Sequence, residues 1–223
     1  MAIGLLWLVV AYAIAPLMWD GYARITPELD DNPRITQTGD RHPGDPLNVE
    51  LIGTERQLES MMKAAGWYTA TSLGFESDLQ IASDTVLSRP DDTAPVSSLY
   101  LFGRKEDFAF EQPVGDNPRQ RHHVRFWKTN DLSEDGRPQW IGSAAYDERV
   151  GFSRTTGQIT HITAPDVDTE RNYLFECLKK SGQLASQYIK HRFHQQLTGR
   201  NGGGNSWRTD GDLYVGVIHD AFF

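Results

Sequence analysis

Hydrophobic positions are spread unevenly along this chain. Of residues 1–19, 17 are apolar, and the first charged side chain is Asp20. As a helix rising 1.5 Å per residue, this run is about 28 Å long, enough for a hydrocarbon core of about 30 Å. It predicts a transmembrane anchor over 1–19, with Trp19 and Tyr22 at the interface and Arg24 reaching the head groups. Ala11-Tyr12-Ala13 and Ala13-Ile14-Ala15 resemble cleavage sites, so a removed signal peptide is the alternative. The nearest basic residues, Arg24, Arg34 and Arg41, all follow the run, which taken literally puts the following domain in the cytoplasm.

Residues 20–46 hold Pro27, Pro33, Pro43 and Pro46 with Gly39 and Gly44, a composition expected of an extended tether. The domain is expected over 47–223. Residues 47–52 read as a strand. Thr54-Glu55-Arg56-Gln57 then has capping-box spacing, and Leu58, Met61, Met62 and Ala65 recur at helical intervals up to Gly66. A second helix is expected over 77–87. The middle reads as strands at 98–102, 107–110, 121–128, 139–147 and 158–162, rich in aromatic and β-branched residues between Gly, Pro and Asp turns. A third helix follows Pro165, capped by Asp166 or Asp168, with Leu174, Cys177 and Leu178 on its apolar stripe and Gly182 at its end. Strands at 186–193 and 212–218 close the chain. The expected class is α+β: one domain of about seven strands and three helices, preceded by one transmembrane helix.

Charge sharpens this picture. All 22 basic and 30 acidic side chains lie beyond residue 19, and the net charge is −8. An acidic balance argues against bulk electrostatic binding of nucleic acid. The single cysteine, Cys177, excludes a disulfide scaffold. No GxSxG, HExxH, CxxC or GxGxxG occurs, which removes the common hydrolase, zincin, zinc-ribbon and dinucleotide motifs.

Three clusters carry candidate chemistry. In Arg121-His122-His123-Val124-Arg125-Phe126-Trp127, alternation sends His122, Val124 and Phe126 to one face and Arg121, His123, Arg125 and Trp127 to the other. The second set forms a cationic strip suited to phosphate or carboxylate, Arg making the bidentate contact. A plain solvent face is the alternative. Near the third helix, His161, Asp166 and Asp168 are ligands of the kind a divalent metal uses, with His122 or His123 as acid–base group of a metal-assisted phosphoester hydrolase. The competing reading makes the acidic residues helix caps. In Gly199-Arg200-Asn201-Gly202-Gly203-Gly204-Asn205, backbone amides of a Gly-rich loop converge on an anion, or the loop is a flexible turn between strands. The binding reading joins His123, Arg125, Arg200, Asn201, Gly202 and Gly203 around one anionic ligand. Asp147 closes a strand, where it either joins a polar site or marks a turn. His191 and His194, three apart on a strand, face opposite ways.

The segments APVSSLYLFGRKEDFAFEQPVG, RHHVRFW, WIGSAAYDERVGFSRTTGQITH, PDVDTER and GRNGGGNSWRTDG, in that order, resemble the bacterial LssY C-terminal domain family over roughly residues 44–218. The resemblance implies a short, single-pass form in the cell membrane with its domain in the periplasm. Other members join the domain to DedA-like or type-2 phosphatidic-acid-phosphatase-like membrane regions. That company implies an envelope role with an anionic lipid or sugar as ligand; a structural partner in a membrane complex is the remaining alternative. It carries over no catalytic residue.

Overall fold

One hairpin of two long strands organises the molecule. The computed structural model describes residues 33–39, 41–70, 99–115, 117–152, 154 and 159–220. β8 (Asn117–Leu132) and β9 (Pro138–Phe152) pair antiparallel around a tight turn. Gly136 takes φ +78° in that turn, and Ser133 and Arg137 bond across it. β7 (Phe108–Val114) lies along the outer side of β8, followed by the two-residue β4 (Tyr68–Thr69). On the other side of β9, β3 (Val49–Ile52) covers residues 139–142 and β10 (Ile159–Thr163) covers Asp147 to Phe152. β14 (Leu213–Ile218) runs parallel to β3, and β11 (Leu184–Lys190) closes that edge. The eight-stranded sheet has the order β11-β14-β3-β9-β8-β7-β4, with β10 beside β9.

Each face of this sheet has its own core. Val124 and Phe126 of β8, with Val49, Leu51 and Trp140, meet Leu58, Met61 and Met62 of α1 (Glu55–Ala64) and Leu174, Phe175 and Leu178 of α2 (Val167–Lys180). Gly142 faces Phe126 across the hairpin, and a Cβ there would lie 2.7 Å from the Phe126 ring. Trp127 and Ile141, on the opposite face, join Leu47, Phe193, Leu213 and Val215. They are covered by a four-stranded sheet: β1 (Ile35–Thr38), β2 (Pro43–Pro46), β5 (Leu99–Leu101) and β6 (Arg104–Lys105), in the order β2-β1-β5-β6. Leu99 and Leu101 enter the second core. β12 (Thr198–Arg200) and β13 (Ser206–Arg208) form a separate hairpin.

The first helix begins as expected: the Thr54 hydroxyl accepts from Gln57 N, and the Gln57 side chain accepts from Thr54 N. The class itself is corrected. The described residues form fourteen strands and two helices, a mostly β protein rather than α+β with three helices. Several strands span only two to four residues, too short to show a hydrophobic period. Residues 35–38 and 43–46 of the expected tether are β1 and β2. Proline lacks an N–H to donate, and β2 is an edge strand, where that loss costs little. The expected helix at 77–87 lies outside the described residues.

The membrane expectation is corrected as well. Among the described residues no helix is long and apolar enough to cross a membrane. α1 and α2 have 10 and 14 residues, and both carry charged side chains. The single-pass reading, the membrane localisation and the periplasmic placement built on it are withdrawn. The apolar run at 1–19, on which the expected anchor falls, lies outside the described residues.

Asn48, fully buried, ties the layers together. Its amide donates to the carbonyls of Ala144 and Val167 and accepts from Ala144 N, linking the start of β3, the middle of β9 and the first residue of α2. Asn48→Ala is expected to lower the unfolding free energy by about 2–4 kcal/mol, since three buried groups lose their partner. Thr54→Ala, which removes one cap, should cost about 1 kcal/mol. Urea unfolding of both variants checks the ranking; equal losses would show that Asn48 is not a principal tie.

Candidate functional site

Past the reach of β3, the face beneath the small sheet turns from apolar to polar. The register sets Trp127 opposite Ile141, Arg125 opposite Ser143, His123 opposite Ala145 and Arg121 opposite Asp147. Alternate strand residues share a face, so one row runs from the second core into a charged end. β7 adds Glu111 beside His123, and β10 adds His161. The expected alternation of 121–127 is thus the observed one. The cationic face, however, is enclosed: His123 and Arg125 are 4% and 5% exposed.

Asp147, 1% exposed, is the centre of this end. Arg121 Nε donates to Asp147 Oδ2 at 2.9 Å, and its Nη1 lies 3.1 Å from Glu111. The Nδ1 atoms of His123 and His161 stand 3.4 and 3.5 Å from the same Oδ2. Burial alone would raise the Asp147 carboxyl, but His123, His161 and Arg121 together hold it well below the usual carboxylate range. Burial pushes the His161 imidazole down; Asp147 opposes this, while Arg121, His123 and Arg125 add to it.

Donors outnumber acceptors here. Arg121 Nη2, His123 Nδ1 and His161 Nδ1 are buried without a hydrogen-bond partner. Among the described residues Arg125 has neither hydrogen bond nor ion pair, although it is nearly enclosed. None of its nitrogens is among the fully buried unpartnered atoms, so the guanidinium keeps some contact with solvent and is open to an acceptor from outside the protein.

His122 faces the other way. Its Nδ1 lies 2.8 Å from Glu170 Oε2 on α2, and its ring stacks on Tyr173 at 4.0 Å between centroids. Burial raises the Glu170 carboxyl against the opposing pull of His122. The two neighbouring histidines are therefore separated by the thickness of the sheet.

The Gly-rich segment links β12 to β13. Asn201 Nδ2 donates to Asp45 Oδ1 at 3.0 Å and Thr163 Oγ1 at 3.4 Å, and Asn205 Nδ2 donates to the His161 carbonyl at 3.5 Å. The loop thus meets the polar end through Asn201. Gly202 packs on Thr38, where a Cβ would come within 2.3 Å of the Thr38 methyl. The amides of Asn201 and Gly204 are used within the turn, and Gly203 accepts from Arg154 N. Arg200 is exposed and donates to the Gly204 carbonyl at 3.2 Å.

His161 and the two aspartates proposed with it have different partners. Asp166 caps α2 and pairs with Arg208 at 2.9 Å. Asp168 holds Arg171, Thr209 and the Asp210 amide. Among the described residues no group of three or more His, Cys, Asp or Glu is placed to hold a metal ion. His191 pairs with Asp212 at the surface, whereas buried His194 bonds the Leu47 carbonyl. Glu111 was not singled out from the sequence; its place opposite His123 depends on a register that only pairing reveals.

Two acid responses follow. His161 and His194 are both held below the ordinary histidine value by burial. Below pH about 6.5 the unfolded chain therefore binds protons that the folded one refuses, and stability drops. The urea midpoint should fall between pH 7.5 and 5.5, and fall less in His161→Gln; an unchanged slope would contradict this. Asp147, depressed, adds stability above about pH 4 that is lost only at still lower pH. Asp147→Asn should cost about 3 kcal/mol at pH 7 by loosening the Arg121 pair.

A family model described as LssY C-terminus matches residues 29–213, which include every side chain of this polar end. No curated protein and no solved structure matches the chain. With the greater part of its length covered, the chain belongs to the LssY C-terminal family.

Proposed function

We propose that this domain binds a small phosphate-bearing ligand, a sugar or a lipid head group, at the polar end of the hairpin. The observation that carries the reading is Arg125: a side chain 5% exposed that has neither hydrogen bond nor ion pair among the described residues, beside the unpartnered Nη2 of Arg121. A phosphate oxygen pair matches the guanidinium fork, and charge-assisted bonds to it are about twice as strong as neutral ones. His123 and His161 can each add a donor through the ring nitrogen that does not face Asp147. Asp147 supports the reading by occupying one side of both imidazoles, so that they are held in place before the ligand arrives.

Arg125→Met separates this role from a structural one. Methionine fills similar space without burying a charge, so the unliganded variant should be as stable as the parent or more so. Its affinity for inorganic phosphate and glycerol phosphate, measured by calorimetry, should fall by about 10–100-fold. Arg200→Ala, at the exposed hairpin, should change affinity less than about threefold. A destabilised Arg125→Met variant that still binds phosphate normally would overturn the reading.

A further inference from the structure

β12 and β13 form a ribbon with two unlike faces. The register sets Thr198 opposite Arg208, Gly199 opposite Trp207 and Arg200 opposite Ser206. Gly199 and Trp207 make the inner face, where Trp207 is 4% exposed. A Cβ at 199 would lie 2.4 Å from the indole, so glycine is what lets that ring pack against the facing strand. The other four side chains, all exposed, share the outer face. The two arginines occupy one diagonal of this set and the two hydroxyls the other. Diagonal neighbours on paired strands are about 7–8 Å apart. Each arginine therefore has a hydroxyl residue directly across the ribbon.

A cavity of about 420 Å³ lies here, in which Pro165 and Trp207 join the two arginines and the two hydroxyl residues. Its polar groups are available to a ligand. Among the described residues the Thr198 and Ser206 hydroxyls make no hydrogen bond within the protein. Arg200 has no ion pair there, and only its Nη1 is used, by the Gly204 carbonyl. Arg208 is paired with Asp166, but the two side chains are 64% and 37% exposed, and so exposed a pair gives way readily to another anion. We propose that this face is a second binding site, separate from Arg125 and independent of the phosphate reading, and that it takes a chain of acidic sugars. A guanidinium fork receives a carboxylate through two parallel bonds, and two guanidiniums on one diagonal receive two carboxylates of one chain. The hydroxyls of Thr198 and Ser206 bond sugar hydroxyls between them. Pro165 and Trp207 offer apolar surface to the C–H faces of the rings. A polyphosphate would meet the charges but leave that apolar surface unused.

The test is calorimetric titration of the full chain with a six-unit oligogalacturonate, with neutral maltohexaose and with a polyphosphate of similar length. The oligogalacturonate is expected to bind and maltohexaose not to. Arg200→Gln and Arg208→Gln should each weaken oligogalacturonate binding by about tenfold, the low end for a charge-assisted hydrogen bond. Arg125→Met should leave it within about threefold, because that arginine belongs to the other site. Both glutamine variants are surface changes, and an unaltered urea midpoint shows that a loss of binding is not a loss of fold. No binding of oligogalacturonate, or binding that neither glutamine variant weakens, overturns the site. Polyphosphate bound as tightly as oligogalacturonate overturns the sugar assignment. A loss in Arg125→Met equal to that in Arg200→Gln overturns the separation of the two sites.

Discussion

β8 and β9 pair from the Leu132–Pro138 turn end to Arg121 opposite Asp147, and a strand sends successive side chains to opposite faces. Each residue of the hairpin is thereby committed to one layer of the molecule. Val124 and Phe126 must meet the helices, and Trp127 must meet the small sheet. The same rule takes the neighbours His122 and His123 to unrelated surroundings. It also carries Arg121, His123 and Arg125 to the face that bears the second core, where His123 and Arg125 have little contact with water. The polar site is a consequence of continuing a core-facing row past the end of its apolar residues.

Formal charge at that end is close to balanced, yet hydrogen-bonding capacity is not. Arg121 serves both Glu111 and Asp147. Arg125 has its donors left over. A fold selected for stability alone would place methionine or leucine there, as Trp127 and Ile141 are placed two residues along the row. An arginine at that place is intelligible if a ligand supplies the missing acceptors. The unpaired donors also make the site selective, because a neutral ligand would leave them unsatisfied.

Much of the local structure is legible in the sequence, and the long-range structure less so. The Thr54–Gln57 capping box and the alternation across 121–127 are written in adjacent residues. The centrality of Asp147 is not. Leu132 pairs with Pro138, and extending that register would set Arg121 opposite Arg149; an irregularity between Lys128 and Leu132 moves it opposite Asp147 instead. The shift is by two residues, so the faces survive while the partners change. His161, Asp166 and Asp168 mislead for the converse reason. They are close in sequence, but the switch from strand to helix around Pro165 commits the two aspartates to Arg208, Arg171 and the helix start. Short strands such as β1, β2 and β6 carry too few residues for a period, which is why the α+β expectation undercounted strands.

If Arg125 waits for an anion, a crystal grown in phosphate should show it. Tetrahedral density bonded to the Arg125 guanidinium is expected, with the rings of His123 and His161 beside it and Asp147 between them. A structure in which Arg125 bonds a carboxylate or carbonyl of the protein itself, with no anion beside it, would mean that the arginine serves the fold alone.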